Sequence, residues 1–209
     1  SESMLYGRGP LNKFDYAATI AACLAYLVIR QQDAAGLVVF DERVRTRLPW
    51  RSSRKHLNAI FESLQSIKPD RKSDLGGVFR EVNDAFPKRG LMVVITDFLG
   101  VEVSALKGLA TLRQAGHDLL ILHVMDDDEL DFPFNDPTRF EGMESTGMLA
   151  CNPRALREGY LESVNAFLER VRRACAGMRA DYMLVRTSQP MDAVLSSFLS
   201  NRETRKRRG

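Results

Sequence analysis

Residues 91–100 read Leu-Met-Val-Val-Ile-Thr-Asp-Phe-Leu-Gly. The run follows Gly90, is apolar and β-branched as far as Ile95, and breaks at Asp97 ahead of Gly100. A short apolar segment bounded in this way predicts a strand buried on both faces. Such strands belong to parallel sheets covered by helices. In those sheets chemistry gathers just beyond the carboxyl ends of the strands, which is where Asp97 stands. The remaining residues are therefore read for what else reaches that edge.

Helical and strand patterns alternate along the chain. Residues 13–31 predict a helix that is apolar round nearly its whole circumference, and therefore deeply buried. Residues 34–40 predict a strand and 41–42 a tight turn. In 43–48, Val44, Thr46 and Leu48 alternate with Arg43, Arg45 and Arg47, the pattern of an antiparallel edge strand. Helices are expected at 53–67, at 74–86 before Pro87, and at 102–114 before Gly116. A second buried strand is expected at 118–124, a long helix at 153–178, a strand at 181–186 and a last helix at 191–200. Between 125 and 152 the pattern breaks into an acidic run, two prolines and two β-like stretches at 139–144 and 148–151, with a hairpin turn at 145–147. The class is α/β, with a mainly parallel sheet, helices on both faces and one antiparallel edge strand. One domain is expected over 1–209, with a β-hairpin insertion at about 126–152 and a basic tail at 201–209.

A net charge of +3 is too small to predict a polyanionic partner. The tail has no interleaved aromatic residues and reads as a solvated terminus rather than a nucleic-acid site. Cys23, Cys151 and Cys175 lack metal or framework spacing. Cys23 and Cys175 fall in apolar helical patterns and read as small buried hydrophobes, which favours a reducing, cytoplasmic setting. The most apolar stretch, 16–29, is too short to span a bilayer, and no secretory signal opens the chain.

Three polar segments are placed to meet Asp97: Ser1-Glu2-Ser3, Lys72-Ser73-Asp74, and the end of the strand itself. Hydroxyls of Ser1, Ser3 and Ser73 with the Asp97 carboxylate make an oxygen-only set, the kind hard divalent cations take. From residue type alone, Ser73 reads more readily as a helix N-cap and Asp97 equally as a turn residue. The acidic run Asp126-Asp127-Asp128-Glu129 with Asp131 reads as a solvated loop, and Arg8, Lys13 and 51–55 as solvated helix flanks. His56, His117 and His123 have no ligand spacing; His123, on an apolar strand, reads as a satisfied core histidine. Gly7 and Gly9 make a poor dinucleotide fingerprint, lacking a third glycine and a preceding strand.

Ser1-Glu2-Ser3-Met4, Tyr6-Gly7, Lys13-Phe14-Asp15-Tyr16-Ala17 and Gly36-Leu37-Val38-Val39-Phe40 resemble the von Willebrand factor A-like domains. More narrowly, the chain resembles the bacterial domain-of-unknown-function family numbered fifty-eight. The likeness continues through Asp74-Leu75-Gly76, Ile95-Thr96-Asp97-Phe98 and His123-Val124. It then takes in Phe132-Pro133-Phe134, Asn152-Pro153-Arg154 and Asp181-Tyr182-Met183-Leu184-Val185. The resemblance implies a Rossmann-like sheet and a metal ion-dependent adhesion site. Ser1 and Ser3 match the serines of its Asp-x-Ser-x-Ser loop, Ser73 takes its Thr position and Asp97 its third-loop Asp. The implied metal is Mg2+, with Mn2+ or Ca2+ as alternatives. The motif's first Asp and the central strand leading to it fall before Ser1. The chain also does not open with Met, so a truncated fragment with an incomplete site is expected. It would be marginally stable, with 37–40 and 91–96 facing a gap.

The resemblance further implies a metal-dependent protein-binding adaptor. It would work with a MoxR-type AAA+ ATPase, or that ATPase's client, in complex assembly or maturation, gripping an acidic residue of the partner. The alternative is a magnesium-dependent phosphoryl-transfer or hydrolytic enzyme on the same scaffold. It is disfavoured because the aspartyl phosphatases place Asp-x-Asp where this chain reads Ser-Glu-Ser, and no lysine stands in a convincing position. Nucleic-acid binding through the tail ranks last.

Overall fold

The computed structural model describes residues 2–41, 43–67, 75–99, 103–135, 138–141, 148–151 and 153–197. In chain order the elements are α1 (Lys13–Arg30), β1 (Ala35–Phe40), β2 (Val44–Arg51), α2 (Arg54–Ser66), α3 (Leu75–Ala85), β3 (Leu91–Thr96), α4 (Val103–Gln114), β4 (Asp118–Met125), α5 (Asp127–Asp131), β5 (Thr138–Glu141), β6 (Met148–Cys151), α6 (Pro153–Gly177) and β7 (Asp181–Arg186). Residues 191–197 are helical again.

The strand predicted at the opening run is β3, and it is parallel to β4, from Leu91 opposite Asp118 to Thr96 opposite His123. β7 pairs parallel on the other side of β4, from Leu120 opposite Asp181 to Met125 opposite Arg186. β4 is thus the middle strand, and every residue from Leu119 to Met125 is buried. That explains its unbroken apolar sequence: neither face meets water, so no alternation is needed. On one face Ile121 and Leu119 join Val78, Phe79, Leu109, Leu112 and Cys175. On the other, Leu120, Leu122 and Val124 join Tyr16, Ile20 and Leu24 of α1.

β1 and β2 form the expected antiparallel hairpin, with Val38 opposite Arg47. β2 runs past the predicted end at Leu48 to Arg51. Pro49 does not stop it because an edge strand has amide positions that need no partner. Trp50 keeps the alternation and stacks on Phe86 at 5.7 Å. β5 and β6 pair antiparallel, and the turn expected at 145–147 lies outside the described residues, as does the tail at 201–209.

Three sequence expectations change. The opening segment is not all loop: Glu2–Leu5 forms a 3-10 turn that buries Ser3 and Met4, the latter in the α1 core. α1 is not deeply buried all round. Its buried residues fall on two faces: Tyr16, Ala17, Ile20 and Leu24, with Lys13, meet the sheet, and Ala25 and Ile29 pack with Leu57 and Ile60 of α2, while Tyr26 is exposed. The small, apolar alanines elsewhere on the helix raised its apolarity without requiring burial. The acidic run is not a solvated loop but the helix α5, with Asp126 and Asp128 buried.

Among the described residues β3 pairs only with β4 and β1 only with β2. Both strands line one apolar cleft of about 880 Å³, together with Ala17, Ala21 and Val28 of α1 and with Phe79 and Phe86. These are the two edges, 37–40 and 91–96, singled out in the sequence. No helix among the described residues is long and apolar enough to cross a membrane.

Because Ile121 is fully buried at the centre of the middle strand, Ile121→Ala is expected to cost about 2–5 kcal/mol of unfolding free energy. Urea unfolding measures this, and a loss below about 1 kcal/mol would contradict the packing described.

Candidate functional site

Asp97 follows β3 directly, at the carboxyl edge. Phe98 then adopts φ +53°, in the left-handed region that is costly for a residue with a side chain. Two short-range bonds hold this turn. Phe98 N donates to Thr96 Oγ1 (3.2 Å), and Leu99 N donates to Asp97 Oδ1 (3.2 Å). The Phe98 ring, fully buried, anchors it by meeting the His123 ring edge-on at 5.2 Å. The turn leaves Asp97 2% exposed.

The partner of that carboxylate is Lys13. Its Nζ donates to Asp97 Oδ2 at 2.9 Å and to Glu129 Oε1 at 2.7 Å, and its side chain is 0% exposed. Asn12 starts α1 by accepting the Asp15 amide at its side chain, 2.8 Å away. That N-cap fixes where Lys13 begins. Glu129 is fixed by α5, which opens with a capping box. Glu129 Oε2 accepts from Asp126 N at 2.9 Å, and Asp126 Oδ1 accepts from Asp128 N at 3.1 Å. Glu129 thus caps its helix with one oxygen and binds Lys13 with the other. Burial raises the Glu129 carboxyl above its ordinary range, and Lys13 opposes that shift.

The rest of the acidic run is engaged as well. Asp126 Oδ2 accepts from Thr187 Oγ1 at 2.7 Å. Asp128 Oδ2 accepts from Tyr6 OH at 3.1 Å, and Arg8 lies 3.5 Å from it. Arg186, at the end of β7, donates to Asp127 and Asp131. At the far end of α5, Arg157 donates to the Phe132 and Asp131 carbonyls, and Tyr160 OH to the Glu129 carbonyl. Burial, reinforced by Asp128, raises the Tyr6 hydroxyl well above the usual phenol range, so it remains a donor.

His123 is the satisfied core histidine expected of it. Nε2 is 2.9 Å from the Asp97 carbonyl and Nδ1 is 2.8 Å from Tyr182 OH. A carbonyl only accepts, so Nε2 carries the proton and Nδ1 accepts from the tyrosine. Burial pushes the imidazole down to about 4, against the Asp97 hydrogen bond and charge and with help from Lys13.

Of the predicted site residues, Asp97 and Ser3 are both buried, whereas Ser1 and Ser73 lie outside the described residues. Lys13 and Glu129 are the site residues absent from the sequence expectation, because an isolated charge reads as solvated. Signals for both were present. Asp126-x-x-Glu129 has the spacing of a capping box, and a lysine at a helix start opposes the helix dipole and so calls for an acidic neighbour. Among the described residues, no trio of His, Cys, Asp or Glu side chains gathers as a metal-ligand cluster.

A three-stranded parallel sheet with helices on both faces, a separate antiparallel hairpin and a buried Asp at the carboxyl edge make a von Willebrand factor A-like α/β fold. The chain belongs to the family described as Protein of unknown function DUF58, which matches residues 1–169. The fold is shared with a conserved hypothetical protein BatB from Bacteroides thetaiotaomicron, at 20% identity and a TM-score of 0.62, covering 96% of this chain and 93% of that one. It is also shared with an aerotolerance-related membrane protein from Bacteroides fragilis NCTC 9343, a form with multiple mutations to serine. There the identity is 18% and the TM-score 0.63, over 94% of this chain and 91% of that one. No curated protein matches the chain.

His123 sets a pH dependence. Its ordinary value is 6.5 and its folded value about 4. Between these, the unfolded chain takes up a proton that the folded protein refuses, so stability falls as pH falls through that window. Glu129, raised in the fold, contributes the opposite slope, so the comparison is with a variant. The stability advantage of wild type over His123→Gln is expected to shrink between pH 6.5 and 4.5 in urea titrations; parallel curves would contradict it.

Proposed function

We propose that this chain is a metal-dependent protein-binding adaptor that works with a MoxR-type AAA+ ATPase in the assembly or maturation of complexes. The observation that carries the reading is the state of the carboxyl edge. Its buried acids and its histidine are engaged by one another and by Lys13, Tyr6 and Thr187, while Leu5 and Arg8 stand exposed at the rim. Turnover needs an acid or base open to a substrate. His123 is held neutral with both ring nitrogens occupied. A rigid, pre-paired polar edge beside an exposed cation and an exposed leucine suits recognition of an acidic partner surface.

The place beside Asp97 fits a cation in kind, because it already holds a positive charge against a buried carboxylate. Asp97 with Ser3, joined by Ser1 and Ser73, would hold a divalent ion, which supplies an open coordination position for a partner's carboxylate. The enzyme alternative gains no support from this edge.

The test is retention of the MoxR-type ATPase on the immobilised protein. Retention is expected to fall at least about tenfold, or about 1.4 kcal/mol, in EDTA and in Asp97→Asn, with folding of the variant checked by circular dichroism. Retention unaffected by either change would refute the adaptor reading of this edge.

A further inference from the structure

A cation at the first residue of a helix faces the positive end of the helix dipole. Lys13 holds that position in α1, and its side chain is fully buried. Burying an ammonium is a second unfavourable placement unless opposite charge meets it. Lys13 is therefore held for its partners, Asp97 Oδ2 at 2.9 Å and Glu129 Oε1 at 2.7 Å. The three groups come from the start of α1, the end of β3 and the middle of α5, so no local structure forces them together. One ammonium thus serves two carboxylates, while the nearby buried Asp126 and Asp128 are met by Thr187, Tyr6 and Arg8.

We propose that the Lys13 ammonium and a divalent cation compete for one place at Asp97, so that Lys13 sets the cation affinity of this edge. An ammonium is a compact point charge on a flexible four-carbon stem. The stem lets the charge withdraw while α1 stays in place. In the absence of a metal, Lys13 keeps Asp97 and Glu129 paired and joins the turn after β3 to α5. The inference rests on the cation reading of this edge, but its test does not involve the partner.

Wild type, Lys13→Met and Lys13→Arg are melted in EDTA and in millimolar MgCl2 at matched ionic strength. Lys13→Met is expected to melt lower than wild type in EDTA and to recover in MgCl2. Its apparent magnesium affinity should be at least about tenfold tighter than that of wild type. Lys13→Arg, which keeps the charge, should follow wild type. Equal magnesium responses in all three proteins would overturn the competition, and so would a Lys13→Met protein that stays unfolded at every magnesium concentration. In wild type, an amine-reactive ester read by mass spectrometry should spare Lys13 in EDTA relative to the exposed Lys55. Equal labelling of the two would overturn the buried pairing. A magnesium response gained by Lys13→Met, alongside ATPase retention that ignores EDTA, would sink the adaptor reading and leave the competition standing.

Discussion

A fully buried ammonium needs opposite charge close by, and in this protein that need ties three distant stretches of chain into one edge. Lys13 comes from the first turn of α1, Asp97 from the turn after β3 and Glu129 from α5. Each is placed by its own local device: the Asn12 cap, the left-handed Phe98 turn and the Asp126–Glu129 capping box. None of these devices alone positions a functional group. Together they set the ammonium between two carboxylates in a region with little water, where each pairing is stronger than at the surface and each unpaired charge is more costly.

His123 extends this order into the core. From the middle strand it reaches the backbone of Asp97 with one nitrogen and Tyr182 of the neighbouring strand with the other. Its ring also meets Phe98 and, at 5.6 Å, Phe167 of α6. The carboxyl end of β3, the middle strand β4 and the first residues of β7 are therefore joined by side chains as well as by the backbone ladder. The Asp97 carbonyl is committed inward, and only the carboxylate is left to face the edge.

Most of the architecture was legible because apolar periodicity reports burial directly. β3, β4 and β7 fall where apolar runs placed them. β3, paired on one side only among the described residues, is nevertheless part-buried with Leu91 exposed, and not buried on both faces as its sequence predicts. The β1–β2 hairpin follows from the arginine alternation in β2. Asp97 was legible because it stands at the end of such a run. Lys13 and Glu129 were not. A charged residue is solvated far more often than buried, and only a partner distant in sequence reverses that expectation. Lys13 meets its partners 84 and 116 residues away, and no pattern within a single segment encodes such a pairing. The acidic run was misread for a related reason: its charge dominated its composition, while the capping spacing inside it determined its structure.

The cleft between β1 and β3 bears on how the molecule holds together. No backbone ladder joins the hairpin to the parallel sheet among the described residues. The hairpin and α2 instead share a small apolar cluster with the second half of α1, built on Ala25, Ile29, Leu57 and Ile60. Residues of β1 and β2 such as Phe40 and Trp50 reach the larger core through side chains alone. Cooperativity between these parts passes through packed rings and methyl groups, which yield gradually, and not through a continuous run of hydrogen bonds. This packing leads us to expect the hairpin with α2 to open at a lower free energy than the sheet that carries Asp97.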